Sequence, residues 1–126
     1  MTTPIRILLV DDEVDFLETT SKRLGRRGNE VKTAADCGQA LALCGTGWMP
    51  DAVVLDVMLP DRSGAECLGD LRRHWPKAAV IMLTGHASMQ VGMNCLEQGA
   101  SDYCLKPIDF EELFEKIQIA CKNRID

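Results

Sequence analysis

Five short apolar runs alternate with five amphipathic stretches, which predicts an α/β protein built as a (βα)5 doubly wound parallel sheet, strand order 2-1-3-4-5. The runs at 5–10, 52–55 and 79–83 lack polar alternation, as strands covered on both faces do. The 126 residues, at about 150 per domain, are read as one domain spanning 1–126. A chain of that size hides roughly two-thirds of its unfolded surface, so its core needs no staple.

Ile5 to Val10 reads as the first strand. Val14 to Arg27 follows as a helix, with Val14, Leu17, Ser21 and Leu24 on one face and Gly25 and Gly28 near its end. Val31 to Ala34 is a short second strand. Cys37, Ala40, Leu41 and Cys44 recur at helical spacing, and Gly45 and Gly47 close that helix. Ala52 to Leu55 is the third strand, and Met58 to Gly64 is rich in turn formers. Gly64, Cys67, Leu68, Leu71 and Trp75 mark the third helix, stopped by Pro76. Ala79 to Leu83 is the fourth strand. Met89, Met93 and Leu96 begin a helical stripe that ends at Gly99. Tyr103 to Leu105 is the fifth strand. Phe110, Leu113, Phe114, Ile117 and Cys121 form the most regular stripe, so the chain closes on a helix.

Hydrophobic residues make up 46% and charged residues 26%, a balance that excludes disordered and collagen-like chains. The longest purely apolar run, Ala78 to Leu83, falls far short of the ~20 residues a membrane span needs. No small-residue cleavage site follows Ile7-Leu8-Leu9-Val10, so no secretory signal is expected. A net charge of −5 argues against direct nucleic-acid binding, which needs clustered Lys and Arg. The cysteines at 37, 44, 67, 95, 104 and 121 show no zinc spacing, and His74 and His86 lie near no such pair. They fall within apolar faces and are read as small buried hydrophobes of a reducing, cytoplasmic compartment.

In a doubly wound sheet the ligand crevice lies at the carboxyl ends of strands 1 and 3. Strand 1 ends in Asp11-Asp12, strand 3 in Asp56, strand 4 in Thr84 and strand 5 in Lys106-Pro107. Strand 2 ends in Ala34-Ala35, with nothing reactive. Asp11 and Asp12 also suit helix capping, and Pro107 also suits the first position of the last helix. Three carboxylates on one rim repel one another, and a divalent cation resolves the conflict. Hard oxygen ligands without thiolate or imidazole favour Mg²⁺.

Together these pieces resemble the receiver domain of two-component response regulators over Ile5 to about Asn123. The carrying motifs are Leu9-Val10-Asp11-Asp12-Glu13, Leu55-Asp56-Val57-Met58-Leu59-Pro60 with Ser63-Gly64, Met82-Leu83-Thr84-Gly85, and Gly99 to Pro107. Thr84-Gly85-His86-Ala87-Ser88 is most similar to receivers of sigma-54-type activators or hybrid kinases. The resemblance implies that Asp56 is the phosphoacceptor, taking a phosphoryl group from a phosphohistidine of a sensor histidine kinase. It implies Asp11, Asp12, Asp56 and the Met58 backbone carbonyl as the Mg²⁺ site. Thr84 and Lys106 would hold phosphoryl oxygens, Thr84 and Tyr103 would form the switch, and Lys106-Pro107 would be a cis peptide. His86 and Met58 match places that flank the phosphoryl group, and Cys104 stands where the family more often has a larger aliphatic residue. A receiver is not a conventional enzyme, although it catalyses its own phosphorylation and dephosphorylation.

A flavodoxin-like nucleotide binder would share the fold but needs a phosphate-cradling loop after strand 1, where Asp11-Asp12-Glu13 carries the opposite charge. A dehalogenase-type phosphatase usually has a second Asp where this chain has Met58. The alternative kept is a phosphorylation-independent adaptor with the receiver fold. The expected output is transcription regulation, through an effector domain after the chain or a homodimer formed by helix 4, strand 5 and helix 5. The fourth helix, Ser88 to Gln98, contains Gly92, Met89 and Met93 and is expected to be the adaptable element.

Overall fold

The computed structural model describes residues 4–85 and 94–123. The elements are β1 (Arg6–Val10), α1 (Val14–Arg26), β2 (Glu30–Ala34), α2 (Cys37–Cys44), β3 (Ala52–Asp56), α3 (Gly64–His74), β4 (Ala79–Thr84), helical residues 94–97 (α4), β5 (Asp102–Leu105) and α5 (Phe110–Asn123). The five strands are parallel in the order β2-β1-β3-β4-β5. The doubly wound sheet expected from the alternation is therefore the observed one. What the sequence reading assigns to His86, Ser88, Met89, Gly92 and Met93 lies outside the described residues.

Side chains alternate across the sheet with the strand period of two, and each face has its own core. Ile7, Leu9, Val54, Ile81 and Leu83 meet Leu17 and Leu24 of α1 and Leu113 and Ile117 of α5. Leu8, Val10, Val53, Leu55, Val80 and Met82 meet Cys37 and Ala40 of α2, Leu68 and Leu71 of α3, and Cys95 of α4. The central strands thus bury every position after Arg6, which is why they read as unbroken apolar runs.

Helix ends follow local chemistry. Ser63 caps α3 by accepting from Glu66 N at 3.2 Å, and Asp36 caps α2 by accepting from Gln39 N at 2.8 Å. Arg72, Arg73 and His74 in the last turn of α3 sit at its negative end. Gly28, at φ +88°, turns the chain after α1 through a conformation a side chain would disfavour.

Three expectations are corrected. Val14 is 64% exposed, and the buried face of α1 is Leu17, Thr20 and Leu24. The reason is position: Val14 is the first residue of the helix, at the sheet's carboxyl rim. Pro107 does not start the last helix. The Lys106-Pro107 peptide is cis, and α5 begins at Phe110, where Asp109 accepts from Glu112 N at 3.2 Å. Nor are all six cysteines thiols. Cys37 and Cys67 form a disulfide, with Cα atoms 5.9 Å apart, because α2 and α3 lie side by side on one sheet face. Closing a loop of that length stabilises by about 3–4 kcal/mol through the unfolded chain's lost freedom. The other four are not disulfide-bonded.

Candidate functional site

The carboxyl ends of β1, β3, β4 and β5 form one rim, because parallel strands point their ends the same way. Asp11 follows β1 and is 1% exposed; its backbone N–H donates to Ala34 O at 3.0 Å, which fixes it beside β2. Asp56 is the last residue of β3 and is buried. Asp12 is exposed beside them. One carboxylate oxygen from each of Asp11, Asp12 and Asp56 lies within 4.8 Å of the others.

Lys106 enters from the end of β5, whose N–H donates to Thr84 O at 2.7 Å. Its Nζ lies 2.7 Å from Asp11 Oδ2, 3.0 Å from Glu13 Oε1 and 3.3 Å from Asp56 Oδ2. The Phe16 ring centroid is 5.4 Å from the same ammonium. Burial alone would lower the Lys106 pKa, but the bonds from Asp11 and Glu13 outweigh it and hold it above the usual lysine value. Asp11 behaves in the opposite way. Its burial raises the carboxyl pKa despite Lys106 and the Glu13 N–H, which donates to Oδ1 at 2.9 Å.

Asp56 Oδ1 accepts from Met58 N at 3.0 Å, so the chain turns back over the carboxylate immediately after β3. That turn is closed by Gly64. Its N–H donates to Val57 O at 2.6 Å, and a Cβ there would stand 2.3 Å from Asp56 O and 2.7 Å from Val57 Cα. Met58 pairs with Ser63 across the loop and leaves its own side chain 63% exposed at the rim.

Thr84 is buried at the end of β4, next to Leu83, which pairs with Asp56 and accepts from Val57 N at 2.8 Å. Tyr103 pairs with Met82 and packs, partly buried, on the α2–α3 side. The structure thus brings Asp11, Asp12, Asp56 and Lys106 into one cluster, with Met58 and Thr84 on its flanks. Tyr103 stands one strand away.

Sequence reading missed Glu13 and Gly64. Glu13 was visible as the third acid of Asp11-Asp12-Glu13, yet only the fold shows that Lys106 reaches it. Gly64 was read as marking a helix, whereas its missing Cβ is what admits the β3 backbone.

The donor set fits a hard divalent cation on its own evidence. Asp11 Oδ2 is buried against the Lys106 ammonium, 2.7 Å away, which Glu13 and Asp56 also draw on. Three carboxylates, Asp11, Glu13 and Asp56, share that single ammonium and Asp12 stands beside them, which leaves the rim negative and oxygen-lined.

These features define a class, and the comparisons agree. The chain belongs to the response regulator receiver domain family, whose description matches residues 7–118. That family comprises signalling switches of two-component systems rather than conventional enzymes, and its members generally bind Mg²⁺ at an acidic pocket. The chain is 37% identical over 115 residues to the probable transcriptional regulatory protein TcrX of Mycobacterium tuberculosis, covering 91% of this chain and 49% of that protein. It therefore spans about half the length of that relative. A CheY-like receiver domain protein from Methanospirillum hungatei superposes with a TM-score of 0.88 at 34% identity, covering 95% of each chain. A response regulator from Burkholderia pseudomallei, solved with a phosphorylated aspartic acid, a calcium ion and citrate, gives 0.85 at 29% identity, over 94% of this chain and 69% of that one.

Proposed function

We propose that this chain is a single receiver domain that accepts a phosphoryl group on Asp56 from a sensor histidine kinase and changes shape to regulate transcription through an effector or a second copy. The observation that carries the reading is the meeting of Asp11, Asp12 and Asp56 within 4.8 Å, with the Lys106 ammonium against Asp11 and Asp56. The phosphorylated aspartic acid and bound calcium ion of the Burkholderia protein support it.

Asp11, Asp12, Asp56 and the Met58 carbonyl would hold Mg²⁺, which supplies positive charge to the phosphoryl oxygens. An Asp56 carboxylate oxygen attacks phosphorus, the new P–O bond replaces the P–N bond to imidazole, and the departing imidazole takes a proton from solvent. Met58 N–H holds Asp56 Oδ1, so Oδ2 on the Lys106 side is the attacking oxygen. Lys106 transfers its contact from carboxylate to phosphoryl oxygen, and the Thr84 hydroxyl takes another. Water attack on the same phosphorus returns Asp56 to its starting state, so the domain limits its own signal. Thr84 and Tyr103 relay the change to α4, β5 and α5. The setting is the cytoplasm, where kinase and effector meet; among the described residues no helix is long and apolar enough to cross a membrane.

Acetyl phosphate with Mg²⁺, read by intact mass, tests the reading. The wild-type chain is expected to gain one phosphoryl group and Asp56→Asn none, with an unchanged fold. Wild-type uptake by Asp56→Asn refutes the assignment, and no uptake by either protein leaves the adaptor reading.

A further inference from the structure

Cys37 opens α2, and Cys67 lies one turn into α3, joined to it by a disulfide across a sequence separation of 30. Both residues are fully buried. The Asp61 carboxylate, from the loop after β3, accepts from Cys37 N at 3.1 Å and from Gly38 N at 2.9 Å. A carboxylate clamp therefore ties α2 to Asp61, inside residues 57–63, and a covalent bond ties it to Cys67, one turn into the helix that follows that segment. That segment carries Met58 against Asp56.

α2 has only eight residues and lies over β2, the edge strand whose first four positions are not buried. Short edge elements open locally at low cost, which gives buried sulfurs access to reagents. Disulfides that occur in reducing compartments are usually transient, catalytic or redox-sensing.

We propose that Cys37 and Cys67 are a reversible dithiol–disulfide switch that locks α2 to α3, stiffens residues 57–63 and thereby sets the rate at which Asp56 takes up phosphoryl groups. The effect on uptake rests on the role proposed for Asp56; the thiol chemistry does not. The oxidant is a low-molecular-weight disulfide such as oxidised glutathione. One cysteine thiolate attacks it, forming a mixed disulfide and releasing one glutathione thiolate. The second cysteine thiolate then attacks the protein sulfur of that mixed disulfide and releases the other. Two protons pass from the cysteine thiols to the two glutathiones, and two electrons reduce the oxidant.

The test equilibrates the whole chain in mixtures of reduced and oxidised glutathione, quenches in acid, alkylates under denaturing conditions and maps the peptides. Alkylation is expected to disappear at Cys37 and Cys67 together as the oxidised form increases, and to return in reduced glutathione. Amide exchange of residues 57–63 is expected to slow on the order of tenfold on oxidation. Phosphoryl uptake from acetyl phosphate is expected to differ severalfold between the two states. Cys67→Ser should lose all redox dependence, and Cys67→Ala serves if the serine chain does not fold. A pair that never oxidises, or that stays bonded in reduced glutathione, overturns the proposal. Unchanged exchange, or measurable uptake that runs at the same rate in both states, also overturns it. A working thiol pair with no uptake in either state refutes the role of Asp56 and supports the switch chemistry.

Discussion

At Lys106 one ammonium faces the carboxylates of Asp11, Glu13 and Asp56 at 2.7, 3.0 and 3.3 Å, so each acid's environment depends on the others. Asp11 is the most burdened, because burial raises its carboxyl pKa above the usual value. A neutral amide escapes that penalty, and its Oδ1 still accepts from Glu13 N. Asp11→Asn is therefore expected to shift the urea midpoint upward in the absence of Mg²⁺. Asp12→Ala should weaken Mg²⁺ binding more than about tenfold by calorimetric titration; an unchanged titration would remove Asp12 from the metal set. Cys104 gives a separate pH signature. Burial pushes its thiol from the ordinary 9.0 up to about 11. Between those values the unfolded chain releases the proton and the folded chain keeps it, so stability falls as pH rises through the window. The loss is about 2–3 kcal/mol in all. Lys116, Asp102 and Glu112 face the same sulfur, and of these only Lys116 opposes the rise. Cys104→Ala should flatten this alkaline limb in urea unfolding, measured relative to the variant's own neutral value.

Among the elements, the turn from β3 into α3 is the tightest connection at the rim. A Cβ at Gly64 would stand 2.3 Å from Asp56 O, and both that atom and Val57 Cα belong to the backbone and cannot rotate away. Gly64→Ala is expected to cost about 3 kcal/mol or more, since either strand or helix must move. Urea unfolding measures this, and phosphoryl uptake should fall with it because Met58 N–H shifts off Asp56. A variant with wild-type stability would show that the turn yields more easily than its contacts imply. Between α1 and α5, the Arg23 guanidinium lies 4.2 Å from the Phe110 centroid, and Arg27 pairs with Glu111. These contacts help seat α5 against α1.

For the molecule as a whole, Leu96, Leu105 and Ile119 are exposed on α4, β5 and α5. Asp102 of β5 and Lys116 of α5 pair at 3.2 Å on the same side. Phosphorylation of Asp56 is expected to alter hydrogen exchange in residues 94–105 and in α5. Beryllofluoride can serve as the phosphoryl mimic for this comparison. Changes confined to the loops around Asp56 would place the output elsewhere.

The five apolar runs, their order and the acids at their ends were legible without coordinates, because periodicity and turn chemistry are local. A strand buried on both faces must read as Ile7-Leu8-Leu9-Val10 does, and a parallel sheet sends its carboxyl ends to one rim. What needed the tertiary structure involves residues far apart in sequence. Glu13 meets Lys106 across 93 positions, and Cys37 meets Cys67 across 30. Gly64 looked like an ordinary helix start until Asp56 O was found against it. Val14 keeps the helical spacing of Leu17 and Leu24 but stands exposed at the start of the helix. Spacing along a chain gives the face a side chain occupies, whereas only packing decides what stands opposite it.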